Sequence, residues 1–109
     1  MGKFRFENKE YKYVSDWTKE EYTIKLLAKN YQNNGTLAVQ MVFWDDEFDG
    51  WEPFDTLTTN LPDARVPANE TSAYVQDTWV RWIEKNNIGT VTDIYAQSGF
   101  NMYVLVDFK

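Results

Sequence analysis

Neither cysteine nor histidine occurs in this sequence. Without cysteine there is no disulfide, thiolate nucleophile or thiolate metal site, and the disulfide-stapled secreted class loses its main support. Without histidine the usual general base near neutral pH, the commonest metal ligand and every Ser-His or Cys-His arrangement are gone. Carboxylate, lysine, tyrosine or Ser/Thr chemistry remains, so the chain is expected to be no enzyme and to carry no cofactor and no metal. Long apolar runs are missing as well: none approaches the roughly 18 residues that mark a membrane-spanning helix. The opening MGKFRFENKE has no apolar signal core, so the expected location is cytoplasmic, with no membrane contact. Met1-Gly2 resembles a myristoylation start, but Phe6 stands where Ser or Thr is wanted. Proline and glycine are scarce, at three and five residues, and no linker, repeat or low-complexity tract divides the chain. Residues 1–109 are therefore expected to form one domain, with residues 1–20 a peripheral strand pair or arm.

Aromatic side chains are abundant: five Trp, seven Tyr and seven Phe. Each ring buries about 150–250 Å², so few residues are needed to offset the entropy of ordering a short chain. That content excludes a disordered chain. The net charge is −6, unevenly spread: residues 1–29 hold seven bases and five acids, residues 30–109 four bases and twelve acids. An acidic balance argues against direct nucleic-acid binding, which needs clustered Lys and Arg, and against docking on anionic membranes. It is compatible with a protein partner that presents a basic surface.

Periodicity outlines the elements. Lys3-Phe4-Arg5-Phe6 and Tyr11-Lys12-Tyr13 alternate with period two, as in short strands joined by a hairpin near Glu7 and Glu10. Tyr22, Ile24, Leu26 and Ala28 share one face of a half-buried strand. Residues 30–35 form a turn dense in Asn and Gly, and residues 36–44 read as a central strand packed on both faces. Asp49-Gly50 suits a two-residue type I′ turn pairing this strand with residues 51–59, where Pro53 implies an edge or bulge position. Residues 61–71, with Pro62 and Pro67, form a loop. Asp77 is the expected N-cap of a helix over residues 78–86 whose Trp79, Trp82 and Ile83 share a core-facing stripe, with Gly89 as its left-handed C-cap. Residues 90–97 and 100–108 flank a Ser98-Gly99 turn, with Met102, Val104, Val106 and Phe108 on the core face. The predicted fold is α+β: a mostly antiparallel twisted sheet of about five strands, one helix packed on it, and a closing β-hairpin.

The run Gly50-Trp51-Glu52-Pro53-Phe54, continuing to Asn60-Leu61-Pro62, resembles a family of small proteins of unknown function carried by phages, plasmids and other mobile elements. Ile83-Glu84-Lys85-Asn86-Asn87-Ile88-Gly89, Ser98-Gly99-Phe100 and the aromatic tail from Tyr103 to Phe108 extend the similarity over roughly residues 22–108. Val91-Thr92-Asp93-Ile94 departs from the T-G-R-type segment of that family. The resemblance implies a mobile-element accessory protein and assigns no chemistry to any residue. Such elements carry many inhibitors of host defence, which adds that class to the functions to weigh.

One constellation stands out. Asp45, Asp46, Glu47, Asp49, Glu52 and Asp55 place six carboxylates in eleven residues with no base among them, interleaved with Trp44, Phe48 and Trp51. The simplest reading is a solvated hairpin that guards a sheet edge against pairing. A calcium loop fits poorly, because Glu47 and Thr56 stand where an EF-hand needs Asp or Asn and Glu. A third reading has the acids imitate nucleic-acid phosphates for a basic partner. Alternate residues along a strand lie about 6.6 Å apart, arginine accepts carboxylate as readily as phosphate, and the three aromatics would serve as anchors. The expected function is therefore a non-enzymatic binding protein, in its sharper form an acidic nucleic-acid mimic that inhibits a host defence protein. The alternative is a structural or housekeeping domain with a solvating hairpin, and a small carboxylate-dependent hydrolase comes third.

Overall fold

The computed structural model describes residues 4–109. Met1, Gly2 and Lys3, where the first alternating run begins, lie outside the described residues. Among the described residues, eight strands form two four-stranded sheets, and every pairing is antiparallel. The first sheet has the order β1 (Glu10–Val14), β2 (Glu21–Asn30), β3 (Leu37–Asp45), β4 (Gly50–Thr56). In the second, β5 (Thr58–Thr59) lies beside β6 (Ser72–Gln76), then β8 (Asn101–Phe108), then β7 (Gly89–Ser98) at the far edge. The result is α+β, but with two sheets where one of about five strands was expected.

The alternation read in β2 is observed: Ile24 and Leu26 are buried, with Tyr22 and Ala28 packed against the core. β3 is central in its sheet, and its two faces are buried to different degrees. Leu37, Val39 and Met41 point into the core, while on the other face Val42 is buried, Ala38 and Gln40 are half-buried and Trp44 is exposed. Pro53 sits on the edge strand β4 at the expected irregularity: Met41 pairs with Asp55 and Val42 with Pro53, so Phe54 is the extra residue of a bulge. After the bulge the chain changes sheets. Leu57 is buried and donates its N–H to the Val39 carbonyl (2.9 Å), and the Thr58 hydroxyl accepts the Val39 N–H (3.0 Å). That corner leaves no buried donor unpaired as one strand enters both sheets.

One core receives Ile24, Leu26, Val39 and Met41 from the first sheet and Ala73, Val75, Val104, Val106 and Phe108 from the second. At about 1.5–3 kcal/mol per fully buried aliphatic or aromatic side chain, such residues dominate stability. The N-terminal segment belongs to this core. Residues 4–8 form turns rather than a strand, so the expected hairpin near Glu7 and Glu10 does not form. Instead Phe6 is fully buried, stacked on Phe4 (5.1 Å between centroids) and edge-on to Phe108 (6.0 Å), and the Arg5 N–H donates to the Lys109 carbonyl.

The helical segment is shorter than expected. A 3₁₀ turn, Asp77–Trp79, follows directly from β6 and leads into α1 (Val80–Lys85). Asp77 is not the N-cap: the cap positions are Gln76 and Trp79, and neither makes a side-chain cap bond. At the other end Asn87, at φ +54°, takes the left-handed position expected of Gly89. The Asn87 N–H donates to the Glu84 carbonyl (3.1 Å) and the Ile88 N–H to the Ile83 carbonyl (3.0 Å), a complete Schellman motif with Ile83 and Ile88 both buried. Gly89 is instead the first residue of β7. There a Cβ would lie 2.7 Å from Val106 Cγ1 and 2.9 Å from the Asp107 carbonyl oxygen. The closing hairpin also shifts by one residue. Ser98 pairs with Asn101, so the turn is Gly99-Phe100, with Gly99 at φ +62°, as a type II′ connection requires. Among the described residues, no helix is long and apolar enough to cross a membrane.

Candidate functional site

β3 and β4 carry the acidic constellation and set its geometry. Asp45 pairs with Gly50, so the connection is a four-residue loop, residues 46–49, and not the two-residue Asp49-Gly50 turn. The difference has a local cause. Asp45 Oδ1 accepts the Glu47 N–H (3.0 Å), bending the chain early, and only Asp49 (φ +50°) enters the left-handed region. Trp44 Nε1 donates to Asp46 Oδ1 (2.9 Å), which ties the loop to the outer sheet face. There Trp44 and Trp51 form a cross-strand edge-to-face pair with centroids 5.5 Å apart. Lys25 Nζ lies 4.9 Å from the centre of the Trp51 ring, and with Glu10, Thr23 and the two indoles it lines a shallow depression of about 400 Å³.

The six carboxylates do not form one row. Asp45, Asp46, Glu47 and Asp49 fall on the hairpin tip or the strand end beside it, as does Phe48, whose ring is 71% exposed. Glu52 pairs with Phe43, one residue from Trp51 and hence on the opposite face of the sheet. Asp55 lies beyond the bulge, where its Oδ1 accepts the Thr56 N–H (2.8 Å), and it faces a different cavity. The strand spacing of about 6.6 Å therefore does not apply to the tip, where the backbone turns. Among the described residues, no group of three or more carboxylates converges as a metal site would require.

Asp55 edges an open cleft of about 320 Å³, lined also by Tyr13, Asp16, Trp17, Gln76, Thr78, Trp79 and Trp82. Tyr13, Trp79 and Trp82 are mutually in contact, with centroids 5.1 Å (Tyr13–Trp79), 6.3 Å (Tyr13–Trp82) and 5.7 Å (Trp79–Trp82) apart. Trp82 Nε1 donates to the Lys12 carbonyl (2.9 Å), fixing that indole against β1. The helical stripe thus divides: Ile83 is core, while Trp79 and Trp82 are half-buried and also wall the cleft. Trp17, on the β1–β2 turn, is 95% exposed. The sequence alone did not flag Asp16, Gln76 or Thr78, because the cleft joins three segments distant in the chain. The cluster of Tyr and Trp between residues 11 and 17 was the available signal.

Strong tyrosine packing marks both halves of the molecule. Burial pushes the Tyr11 hydroxyl above the usual tyrosine range, against the charge of Arg5, and burial does the same for Tyr74, whose hydroxyl donates to the Val66 carbonyl. Tyr22 is raised first by its hydrogen bond to the Glu20 carboxylate (2.9 Å) and then by desolvation.

A fold of two antiparallel sheets with one short helix and an acidic, aromatic hairpin defines a class without assigning it an activity. A family model described as a domain of unknown function, DUF4313, matches residues 23–109. The chain belongs to that family. The match begins inside β2, so it contains the whole hairpin tip but not β1, Phe6, Asp16 or Trp17. Comparison with curated proteins finds no match, and comparison with solved structures finds none.

Proposed function

We propose that this chain is a non-enzymatic accessory protein of mobile-element origin that acts by binding a basic protein surface through its acidic hairpin tip. The observation that carries this reading is Phe48, an aromatic side chain left largely in water on a loop where Asp45, Asp46, Glu47 and Asp49 are its neighbours in sequence. An exposed ring flanked by charge of one sign is the arrangement of an interface anchor with an electrostatic rim. Charge of this kind speeds encounter with a cationic surface and weakens as salt screens it. The mobile-element setting, which rests on motif resemblance, favours a host defence protein that handles nucleic acid as the partner. The turn at the tip supports recognition led by charge rather than a regular imitation of phosphate spacing.

A structural role is the second reading, and a particular observation favours it. Asp45 accepts the Glu47 N–H and Asp46 accepts the Trp44 indole N–H, so part of the acidity serves the turn and its attachment to β3. The hydrolase alternative would draw on Asp16 and Asp55, the two carboxylates of the cleft. Both are exposed, whereas an acid–base pair needs two differing environments.

Affinity capture from bacterial lysate at low and high salt separates these readings. Binding predicts a basic protein held by the wild type, released by salt, and lost from the Asp45→Asn/Asp46→Asn/Asp49→Asn variant. The structural role predicts identical capture by both proteins.

A further inference from the structure

We infer that the cleft walled by Tyr13, Trp17, Trp79 and Trp82 binds a guanidinium group, presented as an arginine side chain of a partner protein. None of its lining residues belongs to the loop at residues 46–49, so this site is separate from the hairpin tip and does not rest on the reading given for it.

Four features carry the inference. The aromatic wall is preformed: three rings hold one another at 5.1–6.3 Å and Trp82 is pinned to the Lys12 carbonyl, so a ligand meets surfaces already ordered. The charge of the cleft is unbalanced. Asp16 and Asp55 line it, no Lys or Arg does, and neither acid is in an ion pair among the described residues. The remaining polar groups supply acceptors. Gln76 commits its Nε2 to Asn101 Oδ1 (3.1 Å), leaving its amide oxygen available, and the Thr78 hydroxyl lies alongside. Finally, Trp17 is almost wholly in water on a turn held by the Ser15 hydroxyl, which accepts the Trp17 N–H (3.3 Å) and the Thr18 N–H (3.4 Å). An indole so placed is available for stacking and contributes little to the core.

Guanidinium matches this set better than other cations. It is planar, stacks on aromatic faces, and directs five donors at acceptors in its plane. A quaternary ammonium would use the rings and leave the carboxylates and the amide without hydrogen bonds. A sugar would use both rings and acceptors, but it would leave two carboxylates without a counter-charge. The volume, about 320 Å³, suits a side chain rather than a folded element.

The test is a titration of the ¹⁵N-labelled protein, read at the indole N–H resonances, with acetyl-Gly-Arg-Gly-amide. The same peptide carrying citrulline, tetramethylammonium and maltose are the comparison ligands. The expected result is a saturable shift of the Trp17 and Trp79 resonances by the arginine peptide, with citrulline binding about tenfold more weakly, a difference of about 1.4 kcal/mol. Asp55→Asn keeps the oxygen that accepts the Thr56 N–H and Trp17→Ala removes an exposed ring, so both variants retain the fold while weakening the response. The Asp45→Asn/Asp46→Asn/Asp49→Asn variant titrates as the wild type does. Equal binding of the citrulline peptide overturns the inference, as does a stronger response to tetramethylammonium or maltose, or the lack of a saturable shift with the arginine peptide.

Discussion

Replacing Gly89 with alanine tests the account of how α1 joins the second sheet. A glycine two or three residues beyond a helix invites the reading of a left-handed cap, for which alanine costs about 1 kcal/mol. The structure gives Gly89 another role. Its φ is not positive, but it pairs with Phe108 so closely that a Cβ would stand 2.7 Å from Val106 Cγ1, 2.9 Å from the Asp107 carbonyl oxygen and 3.3 Å from Phe108 Cα. Two of these three atoms are backbone of β8, the strand between β6 and β7, and Val106 is fully buried, so no flexible group can swing aside. Relief requires β7 and β8 to separate by several tenths of an ångström beside the buried Val106. Such overpacking costs about 1–3 kcal/mol, a fall in Tm of about 4–15 °C for a chain of this size. The paired control is Asn87→Gly, placed where the left-handed backbone occurs. It removes a partner of Lys109 Nζ (2.7 Å) on the exposed surface and should change stability by less than about 0.5 kcal/mol. Urea denaturation of both variants decides the matter. If Gly89→Ala lies within about 0.5 kcal/mol of the wild type, the close approach is not what fixes glycine there.

Three further predictions follow from particular contacts. Phe6→Ala, outside the span of the family match, should cost about 3–5 kcal/mol in denaturant unfolding, because Phe6 is fully buried against Phe4 and Phe108; a negligible cost would make residues 4–8 peripheral after all. Asp49→Gly should stabilise the protein by up to about 1 kcal/mol by relieving φ +50°, and a loss of stability would mean the carboxylate makes a contact that outweighs the strain. Tyr11, Tyr22 and Tyr74 should ionise above 10.0 in the folded protein. Because their folded values are raised, the stability they contribute is complete below pH 10 and is lost as pH rises through those values, so the urea midpoint should fall as pH rises above 10. Ionisation of these three at or below pH 10 in the folded protein would contradict this.

Local patterns carried much of the fold. The alternation from Tyr22 to Ala28, the Asn-rich turn before Gly35, Pro53 on an edge strand and the core face of Val104, Val106 and Phe108 each follow from side chains a few residues apart, although Met102, expected on that face, is exposed near the turn and Leu105, on the other face, is buried. What escaped depends on partners distant in the chain. β6 is five residues long and its Ala73, Tyr74 and Val75 are all buried, so it shows no alternation to read. The corner at Leu57 is visible only once Val39 is known to bond with both Leu57 and Thr58. Gly89 resembles a cap in sequence because its true neighbours, Val106 and Asp107, lie on another strand. The acidic hairpin was legible as a composition, but its division was not: a bulge at Phe54 and strand alternation send Asp55 and Glu52 away from the tip.

The claim that the hairpin tip is a binding surface is tested most directly by cross-linking from Phe48. A photoreactive benzophenone analogue would replace Phe48 in one sample and Phe100, a still more exposed ring on the turn between β7 and β8, in another. Both proteins would be irradiated in bacterial lysate at low salt. The account predicts one basic protein cross-linked from position 48, absent from position 100, and lost when Asp45, Asp46 and Asp49 become asparagine. The same adducts from both positions, or none from position 48, would contradict it and leave the tip's acids as surface.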